Sequence, residues 1–394
     1  MLFTPARHES LAAHRFSEGE ARAAIERIIV RAQRDLDRTS GLWPRDVADE
    51  TRPGERPAGS LYWGAAGVAW SLAELGADVQ GELVEALESR LRDDPEDPDY
   101  GDDGVSFGVA GVLAVAEHLR PEPARRDRLA DLAAAALASA ALEPMMGHPG
   151  HMALASQLYT KNGEERWADY WRAGAERLLA EWRHDEDEGT WLWSQRLGEV
   201  ETRYIGAAHG LVGNVQVLRR GARAGLRSDD VDDRAVETLS RLAVVEDGRA
   251  NWPPQAGDPL VANDRIRVQW CHGASGVIAG MWDAAPDDDR WSDLLEAGGR
   301  LVWDAGPIRD EPGICHGTAG NAYALLALWQ RTSDESWLER ARAFALHAAA
   351  QVENRAARIG RGRHSLFTGD EGVALCLSAC ISGEMRLPVL DHLI

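Results

Sequence analysis

The 394-residue sequence predicts an all-α fold: a double-layered toroid of seven inner and seven outer helices. Two observations point to it. A Gly-x-x-Gly motif occurs seven times, beginning at Gly64, Gly108, Gly147, Gly210, Gly273, Gly317 and Gly369. The spacing, roughly forty to sixty residues, lies in the range where internal repeats signal a repeat architecture. Each motif also opens a nearly all-apolar run, and amphipathic runs alternate with these. A helix apolar all round is buried, and a one-sided helix lies outside it. Glycines three apart share one helix face, where neighbouring backbones can crowd together at the ring's centre. The repeats run end to end. A single domain is therefore expected over 1–394, with an outer helix and loop in 1–60.

The elements follow in order. Ser17-Glu18-Gly19-Glu20 is a capping box that starts the first outer helix, 20–36. Pro44, Pro53 and Pro57 mark a loop. Further outer helices are expected at 82–91, 125–142, 164–182, 232–242, 291–302 and 336–352, each with one polar face. The Ala-rich stretch 132–142 is the longest apolar run. It is too short to cross a bilayer and reads as a buried helix. The stretch 95–103 is acidic and turn-rich. Glu188-Gly189-Thr190, flanked by Trp191 and Trp193, fits the turn of a short hairpin. Asn251-Trp252-Pro253-Pro254-Gln255 begins a long insert leading to Arg267 and Trp270, and long ordered loops tend to be functional.

Composition excludes several classes. A net charge of -21 repels nucleic acid and anionic membrane. Residues 1–16 mix charges and lack an apolar signal core, and no transmembrane segment is expected. The four cysteines, Cys271, Cys315, Cys376 and Cys380, are too few and too clustered for a secreted disulfide scaffold, which favours a reducing cytoplasm. Cys376 and Cys380, four apart on the last apolar run, read as core packing.

The chemistry concentrates just before three of the glycine pairs. Trp270-Cys271-His272-Gly273, Cys315-His316-Gly317 and Ala208-His209-Gly210 place cysteines and histidines at matching positions. If all inner helices start at one end of the ring, Cys271, Cys315, His316 and His209 meet there. Thiolate and imidazole are ligands zinc prefers, and a three-ligand zinc keeps one position open for chemistry. Spacing alone does not decide between His272 and His316 as the nitrogen ligand.

From roughly Gly64 onward the chain resembles the lanthionine cyclases of the LanC type, and more closely their stand-alone LanC-like relatives. Ala207-Ala208-His209-Gly210, Trp270-Cys271-His272-Gly273 and Cys315-His316-Gly317-Thr318-Ala319-Gly320-Asn321 carry the resemblance. It implies an α,α-toroid, with zinc held by Cys271, Cys315 and His316. It implies Michael addition of a peptide cysteine to a dehydroalanine or dehydrobutyrine, giving a thioether. His209 is then the acid or base and Arg267 the positive group facing the enolate. His272 is a further candidate at the site, not a ligand; the LanC-like relatives carry His at this place, where bacterial cyclases often have Tyr. Two departures stand out. The nearest carboxylate where the cyclases place an Asp beside the catalytic histidine is Glu143, which leaves that pairing in question. The stretch Arg309-Asp310-Glu311 stands where glutathione-binding relatives have a Lys, which counts against glutathione binding. His148 and His151 read as structural.

The implied partner is a dehydrated precursor peptide or dehydrated protein, with dehydration supplied by a separate dehydratase. Two alternatives remain: addition of a small cellular thiol to dehydrated residues in proteins, and a zinc-stabilised binding module without catalysis.

Overall fold

The computed structural model describes residues 1–12, 15–49, 58–79, 81–93, 104–186, 188–226 and 230–394. The expected turn-rich stretch 95–103, with Pro53 and Pro57, lies outside them. The outer helices are α1 (Glu18–Asp35), α3 (Gly81–Asp93), α5 (Pro123–Ala136), α7 (Glu165–Ala180), α9 (Val231–Leu242), α11 (Asp289–Ala305) and α13 (Glu335–Ile359). The inner helices are α2 (Ala65–Glu74), α4 (Val109–Leu119), α6 (His148–Asn162), α8 (Leu211–Gly221), α10 (Ala274–Met281), α12 (Thr318–Thr332) and α14 (Asp370–Ser382). Each inner helix has the first glycine of its motif as N-cap, and none of those caps uses a side chain. At α1, by contrast, the Ser17 hydroxyl accepts from the Glu20 N–H at 3.3 Å, as the capping box predicts.

The glycine pairs have a different reason from the one expected. The backbone that crowds each second glycine is the chain's own preceding loop, not a neighbouring helix. A Cβ on Gly67, Gly111, Gly150, Gly213, Gly276, Gly320 or Gly372 would lie 1.9–2.3 Å from the carbonyl oxygen six residues earlier. The loop folds back over the helix N-terminus, and its carbonyls satisfy N–H groups that lack intrahelical partners. Ala65 N–H donates to Ala58 (2.9 Å), Leu211 to Tyr204 (3.0 Å), Thr318 to Glu311 (2.8 Å) and Asp370 to Arg363 (2.8 Å). The residue just before each first glycine therefore sits at the apex of a tight wrap. Gly276→Ala is expected to cost about 3 kcal/mol or more, since a rigid carbonyl must move. A drop in the thermal midpoint of several degrees checks this; an unchanged midpoint would refute the wrap as the reason for the glycine.

These apices gather at one end of the ring. Backbone bonds run from Cys271 N–H to Cys315 (3.0 Å), Cys315 to Phe367 (2.9 Å), Phe367 to Tyr62 (3.4 Å), Tyr62 to Ser106 (2.9 Å) and Ser106 to Met145 (3.2 Å). They tie six of the seven loops into one belt. Helix α14 packs on α2, closing the ring. At the opposite end the C-terminal residues fill the ring's interior. Trp70 Nε1 donates to Leu393 O (3.0 Å), Gln157 Nε2 donates to Val389 O (2.9 Å), and Asp391 pairs with Arg220 (2.5 Å). Among the described residues, no helix is long and apolar enough to cross a membrane.

The Ala-rich stretch 132–142 does not continue as a buried helix: α5 ends at Ala136 and is half exposed. Just past its end, Arg177 reaches from α7 to take the carbonyls of Leu137 and Ser139 (2.7 Å to the latter), which holds the chain where it turns away.

Four two-stranded antiparallel hairpins interrupt the helices: β1 (Arg183–Asp185) with β2 (Thr190–Leu192), β3 (Gln195–Leu197) with β4 (Val200–Thr202), β5 (Val244–Glu246) with β6 (Arg249–Asn251), and β7 (Val261–Ala262) with β8 (Arg265–Ile266). The first is the expected one. The third has a readable signal that sequence reasoning passed over: Asp247-Gly248, both at positive φ (51° and 72°), the pattern of a type I′ turn.

The first outer helix packs against the last inner one through a buried charge cluster. Arg31 pairs with Glu353 (2.7 Å) and Asp370 (3.3 Å). His364 sits between Glu371 (2.8 Å) and Asp35 (3.0 Å). Burial alone would depress the His364 pKa, but the two carboxylates raise it to about 9. Burial, with Glu371 beside it, raises Asp370 to about 7. Both shifts have the same sign for stability. Where only the native state holds the proton, stability falls as pH rises. The native Asp370 holds its proton from the ordinary carboxylate pKa up to about 7, and His364 holds its proton from about 6.5 to about 9. The cluster's contribution to stability is therefore expected to fall between pH 4 and pH 9, with the His364 share fully present below about 6.5. Thermal scans check this. His364→Asn should flatten the alkaline half of the curve, and an unchanged slope would exclude the assignment.

Candidate functional site

Cys271 and Cys315 come together across their backbone bond, both nearly buried at 8% and 6% exposure. Their thiols interact directly. That interaction outweighs burial and drives Cys271 well below the ordinary thiol range. The same interaction, with burial, pushes Cys315 well above it. Gln269 Nε2 donates to Cys271 Sγ at 2.9 Å, a further bias toward thiolate. On the other side the Tyr62 phenol adjoins Cys315.

Among the described residues, no three His, Cys, Asp or Glu side chains stand in an arrangement that itself makes a metal cluster. The donor chemistry nevertheless suits zinc: two adjacent sulfurs, one biased to thiolate, with imidazoles at the same helix starts. Cys376 and Cys380 are free and buried on α14, where Cys376 Sγ lies 3.5 Å from Ala319 O.

His209 stands at the start of α8. Its Nδ1 lies 3.1 Å from Glu143 Oε2, so the departure from the family's Asp leaves the carboxylate–histidine pairing intact. Glu143 is fully buried and accepts the backbone N–H groups of Met145 (2.7 Å) and Met146 (2.8 Å). A carboxylate held this way orients the imidazole and fixes its tautomer. Burial would lower the His209 pKa, but the Glu143 bond and charge prevail and raise it. Gln195, buried on β3, donates to the His209 carbonyl and accepts from Leu142 N–H (3.0 Å), binding the two loops together. Sequence reasoning missed Gln195; nothing near it in sequence marks it.

His272 lies against Tyr204, ring centroids 5.2 Å apart in a T-shape, and its buried Nδ1 has no hydrogen-bond partner. Burial, with His209 and Arg267 nearby, lowers its pKa despite the charge of Cys271. It is therefore a neutral imidazole with a free nitrogen inside the site. Gly273, just after it, has φ +104°, a conformation L side chains rarely adopt. Arg267 is half-buried beside this turn. Its guanidinium donates to Ala262 O at 3.4 Å on the β7–β8 hairpin, and its charge reaches His272. The N-terminal residues strap the two cysteine loops together. Ile266 N–H donates to Thr4 Oγ1 (2.8 Å), and Arg309 N–H donates to Arg7 O (2.9 Å). Arg309 spends its guanidinium on the carbonyls of Ala6 and His8. His148 and His151 are buried, and burial with Arg177 nearby lowers His148 to about 4.

Comparison with known proteins supports the fold and the family. The nisin cyclase structure superposes with a TM-score of 0.63 over 92% of this chain and 94% of that one, at 14% identity, which speaks to the fold. The LanC-like protein GCL1 of Arabidopsis thaliana is 34% identical over 182 residues, 45% of this chain and 40% of that protein. The protein named Glutathione S-transferase LANCL1 of Danio rerio is 36% identical over 149 residues, 37% of this chain and 35% of its own length. The matches thus span well under half of these relatives. The model of the lanthionine synthetase C-like proteins matches residues 55–393, and the chain belongs to that family.

Proposed function

We propose that this protein forms thioether bonds by zinc-dependent Michael addition of a peptide cysteine to a dehydroalanine or dehydrobutyrine. The observation that supports this most is the Glu143–His209 pair, 3.1 Å apart, beside the Cys271–Cys315 thiols, where Gly206 of the His209 loop packs on the Cys271 carbonyl. Zinc held by Cys271, Cys315 and His316 would supply the Lewis acid that takes a substrate thiol to thiolate at neutral pH. The thiol proton leaves to solvent, the sulfur bonds to the β-carbon, and the double-bond electrons move onto the carbonyl oxygen. Arg267 is suited to face that oxygen, and preorganised charge is most effective where charge develops. His209, held protonated by Glu143, returns a proton to the α-carbon. Neutral His272 lines the site with its free nitrogen and can hold substrate or relay a proton.

The substrate arrives already dehydrated, through a separate dehydratase. The four free, buried thiols support a reducing, cytoplasmic setting. One observation favours a second reading, addition of a small cellular thiol to dehydrated residues: the 36% identity to a relative named as a glutathione transferase. Zinc-loaded protein incubated with dehydrated, cysteine-containing peptides separates the two, read by thiol alkylation and mass spectrometry. Loss of a free thiol without a mass change supports cyclisation. Product only with added small thiol supports the second reading. No product with either leaves a binding module.

A further inference from the structure

The seven residues that precede the N-cap glycines divide into two arcs. Going round the ring they are Trp63, Phe107, Met146, His209, His272, His316 and Thr368. Helices α8, α10 and α12 contribute the three imidazoles. Helices α2, α4 and α6 contribute two aromatic rings and a thioether. The residues one place earlier on that side, Tyr62, Ser106 and Met145, are buried, whereas Trp63, Phe107 and Met146 are half-exposed. They therefore show apolar surface to solvent at the same end of the ring as the histidines.

The apolar arc is continuous with the thiol pair. Tyr62 stacks on Phe367 (4.9 Å, 9°) and lies 4.8 Å from Phe107, while its phenol reaches Cys315. Phe107 and Trp63 are 4.9 Å apart. The Arg45 guanidinium lies over the Trp63 ring at 5.4 Å and bounds the arc on its outer side. An apolar surface running into a reactive centre, on a chain of net charge -21, suits an apolar side chain better than a charged one.

We infer that Trp63, Phe107 and Met146 form a specificity subsite for a large apolar residue flanking the reacting cysteine of the substrate peptide. This rests on the proposed thioether reaction for the identity of the peptide, not for the existence of the subsite. A large apolar side chain moved from water into such a subsite is worth about tenfold to a hundredfold in selectivity.

The test uses full-length, zinc-loaded protein and pairs of peptides differing only beside the cysteine, Leu or Phe against Asp or Lys. Each peptide is made in a dehydroalanine form for turnover and an unreactive alanine form for binding. The expected result is preference for Leu and Phe in both binding and kcat/KM. Phe107→Ala and Trp63→Ala should shrink that preference to about twofold or less, while Phe107→Leu, still apolar, keeps most of it. Circular dichroism confirms that each variant is folded. Preference in binding without turnover of any peptide would keep the subsite and sink the thioether reading. Turnover without preference would do the reverse. Equal binding of all peptides to the wild type, or a preference untouched by both alanine variants, overturns the inference.

Discussion

Cys271→Ala combined with Cys315→Ala is expected to strip the protein of nearly all its zinc, from about one metal per chain in the wild type, the number a single three-ligand site implies. The expectation comes from the state of the two thiols. An ordinary buried cysteine is a protonated, inert small hydrophobe. Cys271 is instead driven toward thiolate by Cys315 and by the Gln269 N–H. Metal binding requires deprotonated sulfur, so this bias lowers the proton-release cost that metal uptake carries. Removing both sulfurs leaves imidazoles alone, which hold zinc far more weakly. Metal analysis after dialysis against a mild chelator reads the result. His316→Ala should also lose metal, whereas His272→Ala should retain it, because only His316 is assigned as a ligand. If the thiols were plain packing, the double variant would lose little stability and would match the wild type in metal content. Full zinc retention in that variant would exclude the assignment.

Much of this architecture was legible because one physical constraint repeats. Every inner helix begins where a loop folds back on it, and only glycine leaves room for the loop's carbonyl. That constraint writes itself into the sequence as Gly-x-x-Gly, in phase with an apolar run. The Cys-His doublets were equally visible, since cysteine is rare in this chain. Contacts between distant segments were not legible. Glu143 pairs with a histidine 66 residues away, and nothing local marks it as more than a carboxylate before a proline. Gln195 is less visible still: its amide bridges two loops from a three-residue strand. Tyr62 was recoverable in principle. Aligning the seven repeats on their first glycine puts Tyr62 in the same column as Cys271 and Cys315, and the three side chains do meet. The misread end of α5 has the same origin, since the Arg177 that holds the chain just past it lies 40 residues away.

His209→Ala is expected to lower turnover by a hundredfold or more, about the contribution of a positioned acid or base. It should keep the zinc, because His209 is engaged with Glu143 and not assigned to the metal. Glu143→Gln is the sharper variant. It preserves the shape of the buried side chain but removes the charge that raises the His209 pKa and fixes its tautomer. Its loss should fall between the wild type and His209→Ala, about tenfold to a hundredfold. The pH profile gives a signature that a merely structural defect would not. If His209 donates the α-carbon proton, activity declines as pH rises through its pKa. Glu143 raises that pKa, so Glu143→Gln should move the alkaline limb to lower pH. Glu143→Asp retains charge but shortens the reach, and should restore the limb's position more than the rate. Arg267→Ala should cost a comparable factor with no shift of the limb, because a guanidinium facing an oxyanion does not titrate in this range. If His209→Ala turns over at the wild-type rate with zinc bound, the proton comes from elsewhere. His272, with its buried and unpartnered Nδ1, is then the next residue to remove.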